Sequence, residues 1–199
     1  MRDATSIRHR PDILNSLYAG LFCAAPMLSG RAVEVAGLRL LVGAGAILLA
    51  YGLLDIINER HGAAQARRTV VGAAVARFAV WGLAASTAFL PVAWEIPGYS
   101  GVVLSSVRVL IAGELSMLAS QYIVDIPLFD RLKRVGGSFG LRYNVSTLCS
   151  GALSTVLFMT IAFVGTGAPV ESLIVSQLLL RALISIVLTP LFLWVLRWV

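Results

Sequence analysis

Asp55, Asn58 and Glu59 fall at i, i+3 and i+4, with Gly62 at i+7, so they occupy one helical face at the end of a long apolar run. Two carboxylates and an amide there can accept N–H donors of a ligand, or hold the following basic segment closed through Arg67 and Arg68. A solvated helix end is the plainer alternative. A carboxylate is costly inside a bilayer, so an acid on the last turn of a membrane helix either reaches water or has a task.

Four further charges, Arg77, Arg108, Glu114 and Arg181, interrupt apolar runs. Each costs roughly 2.5–3.5 kcal/mol to insert on translocation scales. Four unpaired costs are hard to accommodate in so small a chain. A polar, wet interior shared by the third, fourth and sixth helices is expected, with Glu114 facing the bundle within reach of an arginine. The alternative is that these charges only pair with one another and fix helix packing. Ala112, Ser116 and Ser120 repeat every four residues, as do Ser146, Ser150 and Ser154. Such stripes let membrane helices approach closely, and their hydroxyls can also bond a ligand lining a cavity.

The elements that must position these groups follow from hydropathy. The 199 residues are 58% hydrophobic and 13% charged, with a mean hydropathy of +0.87; a soluble domain is nearer a quarter charged. An all-α, polytopic integral membrane protein is expected, one transmembrane domain over residues 1–199. A span needs roughly 20 apolar residues. Six candidates run over about Ile13–Leu28, Gly37–Ile57, Thr69–Trp94, Val102–Phe129, Val145–Val164 and Val170–Trp198. Arg2, Arg8 and Arg10 followed by an apolar run mimic a signal peptide. Pro26 interrupts that run and no clean cleavage site follows, so it reads as the first span.

Eleven Lys and Arg residues flank these spans on one side: Arg2, Arg8, Arg10, Arg60, Arg67, Arg68, Arg131, Lys133, Arg134, Arg142 and Arg197. Only Arg31 and Arg39 fall on the other. The asymmetry puts both termini in the cytoplasm. The same placement turns the basic pI away from nucleic acid and towards membrane topogenesis. Trp94, Tyr99 and Trp198 read as interfacial anchors.

Several chemistries are excluded. The chain has no Walker-type loop, no H-E-x-x-H and no G-x-S-x-G. His9, His61, Cys23 and Cys149 form no metal spacing and no disulfide framework. No metal, cofactor or catalytic constellation is expected, so the chain does not read as an enzyme. Gly136-Gly137-Ser138-Phe139-Gly140 reads as a flexible linker. Without a nucleotide site, active transport must draw on an ion gradient or on another protein.

An ordered set of segments resembles one family. Leu54-Asp55-Ile56-Ile57-Asn58-Glu59-x-x-Gly62 with Ala66-Arg67-Arg68 looks like the signature loop of the VUT family of vitamin-uptake or queuosine-precursor transporters. Asp125-Ile126-Pro127-Leu128-Phe129-Asp130-Arg131-Leu132-Lys133-Arg134 resembles the end of its fourth helix. Leu141-Arg142-Tyr143-Asn144-Val145-Ser146-Thr147 resembles the start of its fifth, and Thr160-Ile161-Ala162-Phe163 that helix's end. Thr189-Pro190-Leu191-Phe192 resembles the T-P-L-F of its sixth. The matches run in order from about residue 50 to the C-terminus. The family typically has Gln and Asp where this chain has Gly151 and Ser154, and Asp where it has Leu188; a basic residue is kept as Arg181. Gln121 stands one residue further from Asp125 than usual.

The resemblance implies a six-helix bacterial inner-membrane importer of a 7-deazaguanine precursor of queuosine, such as 7-cyano-7-deazaguanine. It implies a fold similar to the substrate-binding subunits of energy-coupling factor transporters. For such a base, Asp55, Asn58, Glu59, Glu114, Gln121, Asp125, Asn144, Gln177 and Arg181 supply the acceptors and donors, and Tyr122 or Phe158 an aromatic face. The partners implied are a small heterocycle and the lipid bilayer. A homodimer and a substrate-binding subunit energised by a separate ATP-driven module both stay open.

Overall fold

The computed structural model describes residues 10–29, 32–35, 37–87, 89–91, 93–94 and 98–198. Arg2, Arg8, His9 and Arg31, which entered the charge and metal arguments, lie outside the described residues. In chain order the elements are α1 (Arg10–Ser29), β1 (Ala32–Val35), β2 (Leu38–Leu41), α2 (Gly43–Thr87), α3 (Tyr99–Met117), a π-helical segment (Leu118–Asp125), α4 (Ile126–Arg134), α5 (Phe139–Phe163) and α6 (Val170–Trp198).

Helix α2 has 45 residues. Straight, it would be about 68 Å long, twice the hydrocarbon core of a bilayer. Gly62 breaks it, at φ 82° and ψ 167°, a backbone region open essentially to glycine alone. The break reverses the chain. Gly43 in the first limb lies against Ala25 and Ser29 of α1. In the second limb Thr69 donates to Asn15 Oδ1 at 2.7 Å and Arg77 to the Phe22 carbonyl at 3.3 Å. Both limbs therefore lie along α1, the first antiparallel to it and the second parallel.

The rest of the chain continues the alternation. Lys133 at the end of α4 and Arg142 at the start of α5 both reach Glu59. Arg60 donates to the Leu196 carbonyl at the end of α6. So α1 begins, α5 begins, and α4 and α6 end at the Gly62 face, giving six up-and-down helical passes among the described residues. Among the described residues, four helical stretches are long and apolar enough to cross a membrane: Gly43–Thr87, Ser106–Arg134, Phe139–Phe163 and Val170–Trp198. The apolar part of α1, Asp12–Ala25, is shorter.

Three local expectations are corrected. The second span was expected to start at Gly37, but Leu38–Leu41 pairs with Ala32–Val35 as an antiparallel hairpin. Alternation through Val33-Glu34-Val35 and a left-handed Gly37 turn (φ 78°) favour strand over helix there. The basic segment around residues 60–68 is helical apart from Gly62, not a loop. Finally, the Gly136–Gly140 stretch is a cap rather than a flexible linker. Gly136 turns left-handed (φ 84°) and the Gly137 N–H bonds the Leu132 carbonyl at 3.1 Å, closing α4 as in a Schellman motif. Ser138 then caps α5, accepting from the Leu141 N–H at 3.4 Å.

The main apolar core gathers Leu14, Tyr18 and Phe22 of α1, Leu54, Ile56 and Ile57 of α2, and Phe129, Phe139, Tyr143 and Phe192. It fills the Gly62 half of the bundle. The hairpin half is less filled, and a chamber lies there.

Candidate functional site: an interior chamber and a buried acid pair

The chamber is walled by five helices and the hairpin: Phe22 and Ala25 of α1, Leu41 of β2, Tyr51 and Arg77 of α2, Ser116 and Met117 of α3, Ser154, Thr155 and Phe158 of α5, and Gln177 and Arg181 of α6. The centre of a water-sized sphere moves over about 40 Å³ in it. That exceeds the ~10–15 Å³ one water needs, so it can hold more than one water.

Two arginines line it and their surroundings differ. Arg77 donates through Nε to Glu114, and both side chains are 2% exposed. Its guanidinium also lies 5.4 Å from the Phe22 ring centroid. Glu114 thus faces the bundle, paired. Arg181 is 5% exposed and stacks over the Tyr51 ring at 5.6 Å, but its Nε and Nη1 have no hydrogen-bond partner. Gln177 Nε2 and Thr155 Oγ1 are buried without partners as well. The chamber therefore presents a surplus of N–H donors. Gly151 makes this possible: a Cβ there would stand 3.0 Å from Arg181 Nη1.

Below the chamber, towards Gly62, the polar groups continue one turn along each element. The Tyr51 hydroxyl bonds Ser120 at 2.8 Å, and Tyr18 donates to Gln121 Oε1. Asp55, a turn beyond Tyr51, accepts from Ser146 at 3.4 Å. Asp125, a turn beyond Gln121, accepts from Ser150 at 2.9 Å. The α5 serine stripe thus both packs and hydrogen-bonds.

Among the nine residues expected to hold a ligand, Gln177 and Arg181 line the chamber. Glu114 adjoins it through Arg77. Gln121, Asp55 and Asp125 belong to the layer beneath. Asn58 donates to the Ile126 carbonyl at 3.4 Å. Glu59 pairs with Arg142 at 2.9 Å and Lys133 at 3.3 Å, not with Arg67 or Arg68 as the latch expectation had it. Asn144 donates to Gly140 and Thr189, each at 2.8 Å. These last three hold helices together at the Gly62 face. Phe158 is a chamber wall, whereas Tyr122 is outside, under Arg67 at 5.4 Å.

Arg108 corrects the expectation of an interior charge. It is exposed and donates to the Ile161 and Val164 carbonyls at 2.7 and 2.6 Å. The open carbonyls at the end of α5 are a better site for it than the core. Arg77, Tyr51 and Thr155 were absent from the expected binding set although they line the chamber. Arg77 was visible as a mid-span charge; Tyr51 and Thr155 carry no signal in a single sequence.

Residues 42–195 match a family model described as "Putative vitamin uptake transporter". The chain belongs to this vitamin-uptake (VUT) transporter family. The match spans the first limb of α2 through nearly all of α6, and so includes most of the chamber and the acid pair below it. No curated protein and no solved structure matches the chain. A multi-pass membrane protein of a transport family is what the matched family and the apolar helices together establish.

Proposed function

We propose that this VUT-family chain imports a small heterocycle across a bacterial inner membrane, binding it in the chamber, with a 7-deazaguanine precursor of queuosine as the first candidate. The six helical passes are read as six spans with both termini in the cytoplasm. This puts the Gly62 face inside and the hairpin with its chamber in the outer half of the membrane. The observation that carries the reading is Arg181, a buried guanidinium with two unpartnered N–H positions aimed at the chamber. An intramembrane ionisable group of this kind marks a substrate path. A 7-cyano-7-deazaguanine ring offers a carbonyl and a nitrile as acceptors for Arg181 and Gln177, and a flat face for Phe158. Gln177 can turn its amide to present either a donor or an acceptor.

The test is uptake of labelled deazapurines by cells expressing the chain, beside ligand-induced thermal shifts of the purified protein. The parent should take up and bind one of the panel, and Arg181→Gln should lose at least tenfold in affinity while folding normally. No uptake and no shift with any deazapurine would remove this substrate class. Uptake dependent on a co-expressed ATP-driven module would favour the binding-subunit reading.

A further inference from the structure

We propose that Asp55 and Asp125, with the hydroxyls of Ser146, Thr147 and Ser150, form a site for one small hard cation, Na⁺ or a proton, that drives transport through the neighbouring chamber. The proposal goes beyond the substrate reading and does not depend on which substrate is carried.

Both carboxylates are buried, and among the described residues neither has a salt-bridge partner. Asp55 Oδ1 and Asp125 Oδ2 accept no hydrogen bond. Independently of the two acids, the fully buried hydroxyls of Thr147 and Tyr143 are unpartnered, and the Thr147 hydroxyl faces Asp55. An enclosed site rich in oxygen and lacking nitrogen or sulfur ligands suits a hard cation.

The serines can take part without losing their own bonds. Ser150 has a second acceptor in the Ser146 carbonyl at 2.7 Å, and Ser146 has one in the Tyr143 carbonyl at 3.3 Å. With each O–H turned onto its own helix, the oxygen lone pairs face the acids and can ligate a cation. With the O–H turned outward, they bond an ionised carboxylate, as at Asp125.

Charge balance points to a single positive charge. The titratable groups nearest the pair are Arg142 and Tyr143 of α5, Tyr18 of α1 and Tyr51 of α2, with Glu59 and Lys133 beyond Arg142 and Arg181 beyond Tyr51. Arg142 is matched by Glu59 and Arg77 by Glu114, while Lys133, whose side chain is 35% exposed, carries its charge at the solvent. What remains is Asp55, Asp125 and Arg181, a net charge of minus one, which one monovalent cation neutralises. Loading it lowers the attraction the acids exert on Arg181 and so changes what that guanidinium offers a substrate. As a proton, it would form an O–H bond on one carboxylate and leave the other ionised to accept from it.

The test needs no substrate. The purified chain in nanodiscs is assayed for equilibrium binding of radiolabelled Na⁺ against a K⁺ background. In parallel, the infrared carbonyl stretch of a protonated carboxylic acid is recorded near neutral pH. We expect either one bound Na⁺ per chain or, without Na⁺ binding, one protonated carboxyl per chain. Asp55→Asn and Asp125→Asn should each abolish the signal. Absence of both signals in the parent would overturn the proposal whatever the variants do, and so would persistence of the signal in both variants. A cation signal without deazapurine binding would instead leave the site standing and remove only the substrate reading.

Discussion

The Arg77–Glu114 pair offers a quantitative check on the buried polar network. Both side chains are 2% exposed. Removing one partner of such a pair costs about 3–5 kcal/mol because the other charge is left behind. The two single variants should not be equal. In Glu114→Gln, the amide oxygen can still accept from Arg77 Nε, and the guanidinium keeps the Phe22 carbonyl and ring, so a loss near about 3 kcal/mol is expected. In Arg77→Met, Glu114 loses its ion-pair partner, and about 5 kcal/mol is expected. The double variant carries no charge and should lose only about 0–2 kcal/mol, so the coupling exceeds the ~0.5 kcal/mol within which independent sites add. The assay is denaturant unfolding of all four proteins in one detergent, followed by tryptophan fluorescence. Single losses that simply add in the double variant, or singles within ~0.5 kcal/mol of the parent, would refute the argument.

Three further outcomes are expected. Gly62→Ala should cost about 1–3 kcal/mol through backbone strain alone, since a Cβ there meets no atom; a thermal midpoint equal to the parent's would show that the limbs do not depend on this conformation. Gly151→Ala should displace the Arg181 guanidinium and weaken substrate binding severalfold with little change in yield, measured by thermal shift with the transported deazapurine; unchanged binding would place the substrate elsewhere. Cysteines replacing Arg67 and Arg134 should resist an impermeant thiol reagent in intact cells while one replacing Gly98 labels, and labelling of the first two from outside would invert the orientation.

The helical plan was legible because periodic apolar runs and their breakers act locally. The Val170–Trp198 helix has the bounds expected for the last span, whereas the fifth starts at Phe139, six residues before the expected Val145, where Ser138 caps it. Gly62 was visible as a glycine closing the Asp55 face, and whether the chain reverses or merely bends there depends on α1, a tertiary contact. Arg108 misled because a mid-run arginine looks the same whether it turns inward or reaches a neighbour's open carbonyls. For the site, the acids and Arg181 were legible by type. Their division into a donor-rich chamber and an acid pair was not, because it depends on which faces of α2, α5 and α6 meet.

The π-helical segment Leu118–Asp125 widens the hydrogen-bonded turn that carries Gln121 and Asp125. The widening keeps Ser120, Gln121 and Asp125 all buried. Ser120 meets Tyr51 at the chamber floor, and Asp125 meets Ser150 one turn below. On α2, Tyr51 and Asp55 make the same step, and on α5 Ser154 and Ser150 do. Three elements thus each place one group at the chamber and the next at the acid pair. A π turn is less regular than the α-helix around it and is often found at functional sites. Its place here joins it to both layers.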